Sequence, residues 1–218
     1  MVDIELLESN VDVSNTPPAD YSFRKVKSLN ETEGLRPRSI RIGKEVVRGP
    51  SGKILSNGLW LNNNNLTSIR HISRFVNSTF EAPAKMEWLD FSYNQIVDIH
   101  EEILNFKNLK ILYLHGNCID NIGSIYKLSK LKHLRAVTLH GNLIEAVPFY
   151  RRFVIYFLPQ IKCLDFVAIS PREQKAPEPP DASAIRKKAA DMLYAALKGT
   201  SLMKEVQIEE RSQIKALK

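Results

Sequence analysis

Asparagine stands at positions 64, 94, 117 and 142, and each time it sits in the same frame of apolar residues. Met86, Leu89, Phe91, Asn94, Ile96 and Ile99 spell that frame once. Leu109, Leu112, Leu114, Asn117, Ile119 and Ile122 repeat it, and Leu134, Val137, Leu139, Asn142, Ile144 and Val147 repeat it again. An earlier copy, Leu59, Leu61, Asn64, Leu66 and Ile69, lacks only the first apolar position, which is Ser56. The asparagines lie 30, 23 and 25 residues apart. A unit this short cannot bury its apolar face alone and must stack on its neighbours, so the pattern leaves few folds open.

The frame is the leucine-rich repeat signature, with one longer insertion between the first two copies. It predicts an α/β solenoid in which each copy lays down one short strand, and neighbouring strands form a parallel sheet on the concave side. The leucines point inward. Asn64, Asn94, Asn117 and Asn142 form a ladder where the chain leaves each strand, because an amide both donates to and accepts from backbone groups that would otherwise be buried unpaired. The glycines before Asn117 and Asn142 suit a tight turn.

Two of the strands end in LHGN, at 114–117 and 139–142. The repeat register places His115 and His140 side by side on adjacent strands, about 5 Å apart, facing the concave surface. A metal would want three or four ligands, and the equivalent positions in the first two copies are Asn62 and Ser92. The histidines are therefore read as residues of a binding face. There is no phosphate loop, no Ser/His/Asp arrangement at a strand end and no cluster of metal ligands, so neither an enzyme nor a cofactor is expected.

The concave positions read from the register are Gly58, Trp60 and Asn62; Trp88, Asp90 and Ser92; Ile111, Tyr113 and His115; and Ala136, Thr138 and His140, with Cys163, Asp165 and Val167 added by the last strand. Trp60, Trp88, Ile111 and Tyr113 make an aromatic patch beside a polar edge. Tryptophan and tyrosine are favoured anchors of protein interfaces, so this face is the expected partner site. The competing reading is that the N-terminal arm or a C-terminal helix covers it.

Four regions follow: an extended N-terminal arm over 1–53, the repeat domain with its C-terminal cap over 54–169, a proline-rich linker over 170–180 and a helical tail over 181–218. In the cap, Phe149, Phe153, Ile155, Tyr156, Phe157 and Leu158 predict an apolar helix, and Ile161, Leu164 and Phe166 one more strand. The solenoid's other end needs covering by something in 20–58, with Ile54 and Leu55 as candidates. Helices or turns are expected on the convex side over 100–109 and 124–134, and a further helix in the insertion 71–85. In the tail, Ile185, Ala189, Met192 and Ala196 share one helical face, starting at Asp181 or Ser183 and stopping at Gly199. That helix either folds back on the solenoid or docks on a partner.

The net charge of the 218-residue chain is +7, unevenly placed. Residues 1–23 carry five acids and no base, whereas Arg24, Lys25, Lys27, Arg36, Arg38, Arg41, Lys44, Arg48 and Lys53 face only three acids over 24–53. This basic arm suits an acidic partner surface, or is a solvated linker that happens to be basic. No stretch approaches the roughly 18 apolar residues of a spanning helix, and the acidic N-terminus lacks the features of a signal peptide. Two cysteines make no disulfide framework. A reducing compartment, cytoplasm or nucleus, is the expectation.

PPADYSFR (17–24), EGLRPR (33–38), LWLNNN (59–64), WLDFSYN (88–94), LYLHGN (112–117) and VTLHGN (137–142) together resemble the leucine-rich repeat-containing protein 51 family. The cap residues Tyr150, Arg151, Leu158, Pro159 and Leu164–Phe166 fit as well, and the likeness runs from about residue 17 to 170. The resemblance implies a small non-enzymatic protein of ciliated or flagellated cells, with no small-molecule substrate and no membrane. Its expected partners are other proteins, tubulin or axonemal components among them. Proteins with a similar terminal cap include regulators of protein phosphatase 1 and the leucine-rich subunit of the spliceosome's branch-site particle. A ribonucleoprotein or phosphatase-regulatory scaffold is accordingly the alternative to a structural adaptor. Direct nucleic-acid binding is not expected, since the aromatic strand motif of an RNA platform is lacking.

Overall fold

The structure, a computed structural model, describes residues 12–13, 16–32, 34–38, 46–203 and 206. The three complete repeat frames and the partial one each deliver a three-residue strand: β2 (Gly58–Trp60), β3 (Trp88–Asp90), β4 (Ile111–Tyr113) and β5 (Ala136–Thr138). They pair in parallel and in order, with Leu59, Leu89, Leu112 and Val137 in one row across the sheet. All four are essentially sealed from solvent.

Three further strands extend the sheet. At one end β1 (Ala19–Asp20) pairs with β2, so that Ala19 lies beside Leu59. At the other, β6 (Cys163–Leu164) pairs parallel with β5, and the chain then turns back as β7 (Val167–Ala168), antiparallel to β6. The seven strands run in sequence order.

The N-terminal segment is thus not an arm standing off the repeats. Ala19, Tyr21, Val26 and Leu29 are buried, as is Ile54, one of the two residues expected to cover this end; Leu55 is half-buried. Tyr21 packs edge-on against Phe75 at 5.3 Å, and its hydroxyl, buried there, is pushed up to about 12. Gly58 shows how close β1 comes, since a Cβ there would lie 3.1 Å from Pro18. No apolar frame precedes residue 56, so this strand has no repeat signature to announce it.

The asparagine ladder stitches each turn to the one before. The Asn117 amide donates to the carbonyls of Phe91 and Leu114 at 3.0 and 2.9 Å, and its oxygen accepts from the Ile96 amide at 3.0 Å. Asn94 and Asn142 repeat these contacts one turn earlier and one later. Asn64 reaches back to the Tyr21 carbonyl and accepts from the Arg24 amide, so the N-terminal strand enters the same scheme. The residue before each asparagine is left-handed, at φ 66 and 69 for Gly116 and Gly141, and also at φ 55 and 53 for Asn63 and Tyr93.

The convex side is built from short pieces. The insertion holds α1 (Ile72–Thr79), which has no cap of its own; Glu102 of the next turn accepts from the amides of His71 and Ser73 at 3.0 and 3.2 Å and serves as one. The segments expected as helices or turns form 3₁₀ helices at Glu101–Asn105 and Ile122–Lys130. The cap helix is α2 (Tyr150–Phe157), with Phe153, Val154, Ile155 and Phe157 buried.

The proline-rich stretch is strapped to that cap and does not act as an extended spacer. It opens with α3 (Pro171–Gln174), held by a capping box between Ser170 and Glu173, while Arg151 of α2 donates to Glu173 at 2.7 Å. Beyond it, α4 (Ala182–Leu197) lies back on the convex face, its Ala182, Ala189, Leu193 and Leu197 buried against the 3₁₀ segment Ile122–Lys130. The buried face is one position off the expected one. Ile185 is partly buried, whereas Met192 is 54% exposed and Ala196 is exposed, because Leu193 and Leu197 outweigh them as apolar surface. Arg186 of this helix lies over the Tyr126 ring, 5.7 Å from its centroid. Of the rest of the expected helical tail, residues 204, 205 and 207–218 lie outside the described residues.

Candidate functional site

The concave face follows from the strand register. Residues at the first and third position of each strand point to it, and the middle residue points into the core. Trp60, Trp88, Asp90, Ile111 and Tyr113 are partly exposed there. Their rings meet edge to face, Trp60 on Trp88 at 5.3 Å and Trp88 on Tyr113 at 6.0 Å. This geometry suits rings whose positive edges meet negative faces.

Five expected members of the face are buried, not surface residues, Gly58 and Ser92 among them. Asn62 and Thr138 are 8% and 1% exposed, and His115 is 9% exposed. The reason is the row of side chains around them. His115 stacks on His140 with ring centroids 4.7 Å apart and planes 7° from parallel, and its Nδ1 lies 2.7 Å from the Thr138 hydroxyl. Tyr93, held at positive φ, leans its ring on His115 at 5.1 Å. Burial and the adjacent His140 hold the His115 imidazole below its ordinary pKa, against the pull of Asp90 and Asp165. A stacked pair of this kind is unsuited to carrying two positive charges. Among the described residues, no three His, Cys, Asp or Glu side chains come together in a way that could hold a metal ion.

The sheet's far end holds two residues whose roles the sequence pattern concealed. Phe166 fits the apolar slot of a fifth strand, yet it is 59% exposed. The chain reverses through Asp165 and Phe166 at φ 53 and 63, both left-handed, and this turn swings Phe166 out over the concave face. There it meets Tyr113 at 5.3 Å, His115 at 5.6 Å and His140 at 5.8 Å. Val167, expected on the face, instead pairs back on Leu164 in β7.

Asp165 replaces the carbonyls that a further strand would offer to β5. One carboxylate oxygen accepts from the Leu139 and His140 amides at 2.6 and 2.9 Å, and the other from the Tyr150 hydroxyl at 2.9 Å. Burial and this carboxylate push the Tyr150 hydroxyl far above its ordinary range. The Asp-x-Ser turns at Asp20–Ser22 and Asp90–Ser92 do related work at two other strand ends; the Ser92 amide and hydroxyl donate to Asp90 at 2.9 and 2.6 Å.

The basic residues of the N-terminal region are spread over a folded surface. Arg24, Lys25, Lys27, Arg36 and Arg38 are exposed around the first turn, with Arg24 donating to the Arg36 carbonyl at 2.6 Å. Arg48 donates to the Gly52 carbonyl and Lys53 to that of Asn77. Arg41 and Lys44 lie outside the described residues.

Comparison with known proteins agrees with this architecture. A family model described as leucine-rich repeat matches residues 78–206. The chain is 38% identical to leucine-rich repeat-containing protein 51 of Bos taurus over 163 residues, covering 74% of this chain and 83% of that one. Against the Rattus norvegicus and Homo sapiens proteins of the same name the identities are 37% and 36%, covering 78% and 74% of this chain and 90% and 83% of theirs. Among solved structures, the Drosophila melanogaster SNF/U2A′ complex aligns with TM-score 0.48 and 18% identity over 77% of this chain and 94% of that chain.

Proposed function

This chain belongs to the leucine-rich repeat-containing protein 51 family, and from that premise we propose that it is a non-enzymatic adaptor that holds a protein partner on its concave face. The observation that carries the proposal is the continuous row of partly exposed rings, Trp60, Trp88, Tyr113 and Phe166, laid across the sheet. Aromatic side chains contribute much of the energy of protein interfaces and are worth little to a face that meets only water. Tail helix and N-terminal strand are both seated elsewhere, α4 on the convex face and β1 at the sheet's edge.

The proposed setting is the cytoplasm, within a ciliary or flagellar axonemal assembly; the support for this is the family resemblance to proteins of ciliated cells. Exposed Arg24, Lys25, Lys27, Arg36 and Arg38 supply a second contact, with an acidic surface such as that of tubulin. The test is a pull-down of the tagged full-length chain from ciliated cells, wild type against Trp88→Ala/Tyr113→Ala. Recovery of axonemal proteins by the wild type alone supports the adaptor. Equal recovery by both sinks the concave-face assignment, and recovery of phosphatase or spliceosomal proteins moves the setting. Charge reversal at Arg36 and Arg38 probes the basic surface without removing β1, which a deletion of 1–53 would strip from the sheet.

A further inference from the structure

Resting on that reading of the concave sheet, we infer that the segment it holds is cationic: a stretch of partner chain that lays an arginine or lysine against the rings of Trp88 and Tyr113, with Asp90 as the neighbouring charge.

The argument begins with where this chain keeps its charge. It is basic overall, at +7. Yet none of the concave positions set by the strand register is a lysine or arginine. A group of exposed bases lies instead on the edge where the later strands begin, with Lys110 there paired to Glu87 at 2.6 Å. Lys110, Arg135 and Lys162 directly precede β4, β5 and β6, and Lys107 and Lys132 sit three residues earlier in their turns. The face itself offers aromatic rings and carboxylates. Asp90 lies beside Tyr113 in the strand register, and its charge is felt at the Tyr113 hydroxyl.

Three kinds of segment can be weighed against that surface. An acidic one would bring like charge to Asp90 and negative groups to the negative faces of the rings. A purely apolar one would seal the Asp90 carboxylate away from water while supplying nothing in return, a poor exchange for a charge. A basic one meets both features at once. Arg or Lys is attracted to the face of Trp or Tyr within about 6 Å of the ring centroid, more so where water is excluded. Arginine adds a planar guanidinium that stacks on rings and pairs with a carboxylate. The bases at the strand-start edge disfavour such a segment there and bias it toward the face.

The experiment is selection of random 12-residue peptides displayed on phage against the immobilised full-length protein, in parallel on wild type and W88A. The best peptides are then synthesised and their dissociation constants measured by tryptophan fluorescence. Peptides enriched on wild type alone are expected to carry Arg or Lys. Replacing that residue by Gln is expected to weaken binding about tenfold. D90N is expected to weaken it several-fold and to flatten its salt dependence, since Asn keeps an oxygen that can accept from Ser92 and removes the charge. Enrichment that depends on Trp88 but lacks Arg or Lys, or binding indifferent to D90N, overturns the cationic assignment and leaves the face as a partner site. Peptides that bind wild type and W88A alike, or no enrichment at all, overturn the face itself. Circular dichroism checks each variant, and Tyr113→Leu on the next strand carries the same comparison if W88A fails to fold.

Discussion

Removing one asparagine from the ladder should cost an amount set by how many buried groups lose their last partner. Asn117 and Asn142 make the same three contacts but differ in what remains without them. In Asn117→Leu, the Phe91 carbonyl keeps Asn94 at 3.0 Å and the Leu114 carbonyl keeps Asn142 at 2.9 Å. Only the Ile96 amide loses its described partner. In Asn142→Leu, the Leu114 carbonyl keeps Asn117 at 2.9 Å, but no later asparagine reaches back to Leu139. The Leu139 carbonyl and the Ile119 amide are then both stranded. A buried polar group left alone costs about 1–3 kcal/mol, while a carbonyl that keeps one of two bonds loses less. Asn117→Leu should therefore cost about 2–3 kcal/mol and Asn142→Leu about 3–5 kcal/mol. Leucine keeps asparagine's branching and number of heavy atoms and is no smaller, so none of this is cavity. Urea unfolding followed by circular dichroism gives both values at matched slopes. Asn108→Leu, an exposed site, is the control and should fall within about 0.5 kcal/mol of wild type. If Asn142→Leu costs no more than Asn117→Leu, counting stranded partners is the wrong explanation of the ladder.

Three other perturbations test other parts of the molecule. His115 is held below its ordinary value of 6.5, first by burial and then by His140, so the unfolded chain takes up its proton more readily. Its contribution to stability is complete above about pH 6.5 and is lost as the pH falls below it; the urea midpoint should drop between pH 7.5 and 5.5, and H115Q should shrink that drop. A midpoint that rises on acidification contradicts the assignment. Asp165→Ala strands the Leu139 and His140 amides and should cost about 2–5 kcal/mol, with Asp165→Asn milder because it keeps an accepting oxygen; equal losses in a melt would show that charge dominates. Leu193→Asp should release α4 while leaving the repeats folded, read as rapid hydrogen exchange over 182–197 with slow exchange retained in Leu89, Leu112 and Val137; protection unchanged over α4 would refute its docking through Leu193.

The repeat frame was legible because its constraint is periodic and local. Leu89, Leu112 and Val137 must be apolar, Asn94, Asn117 and Asn142 must be amides, and each such requirement recurs in every turn. Trp60, Trp88 and Tyr113 could be placed on the concave face for the same reason, by counting from the asparagines. What happens once in the chain left no such trace. β1 carries no leucine frame, and it is recognised only through pairing with Leu59 and Trp60 some forty residues away. The proline-rich stretch did carry a usable signal, Ser170-Pro-Arg-Glu173, which is a capping box of ordinary form. Proline content alone suggested a spacer, and the nearby Arg151 that ties it down cannot be seen along the chain. In α4 the spacing of apolar residues admitted two adjacent faces, and only contact with the Ile122–Lys130 segment chose the one bearing Leu193 and Leu197.

Phe166 is the instructive failure, because the frame argued against the right answer. Leu164-x-Phe166 fits the strand slot as well as Leu112-x-Leu114 does, so the pattern predicts a buried ring. A strand at that point would continue the sheet and expose a fresh row of unpaired backbone groups, with no following repeat to meet them. The chain instead spends Asp165 on the waiting amides of β5 and turns, and the turn carries Phe166 to the other side. Ending the solenoid and finishing the face are therefore one event. The same holds at the opposite end, where β1 closes the sheet and sets Pro18 against Gly58 beside Trp60. It follows that the repeats fix the spacing of the concave rings, while the two non-repeating ends fix its outline. A relative with the same frame but a different residue at the position of Phe166 should keep the fold and change what the face admits.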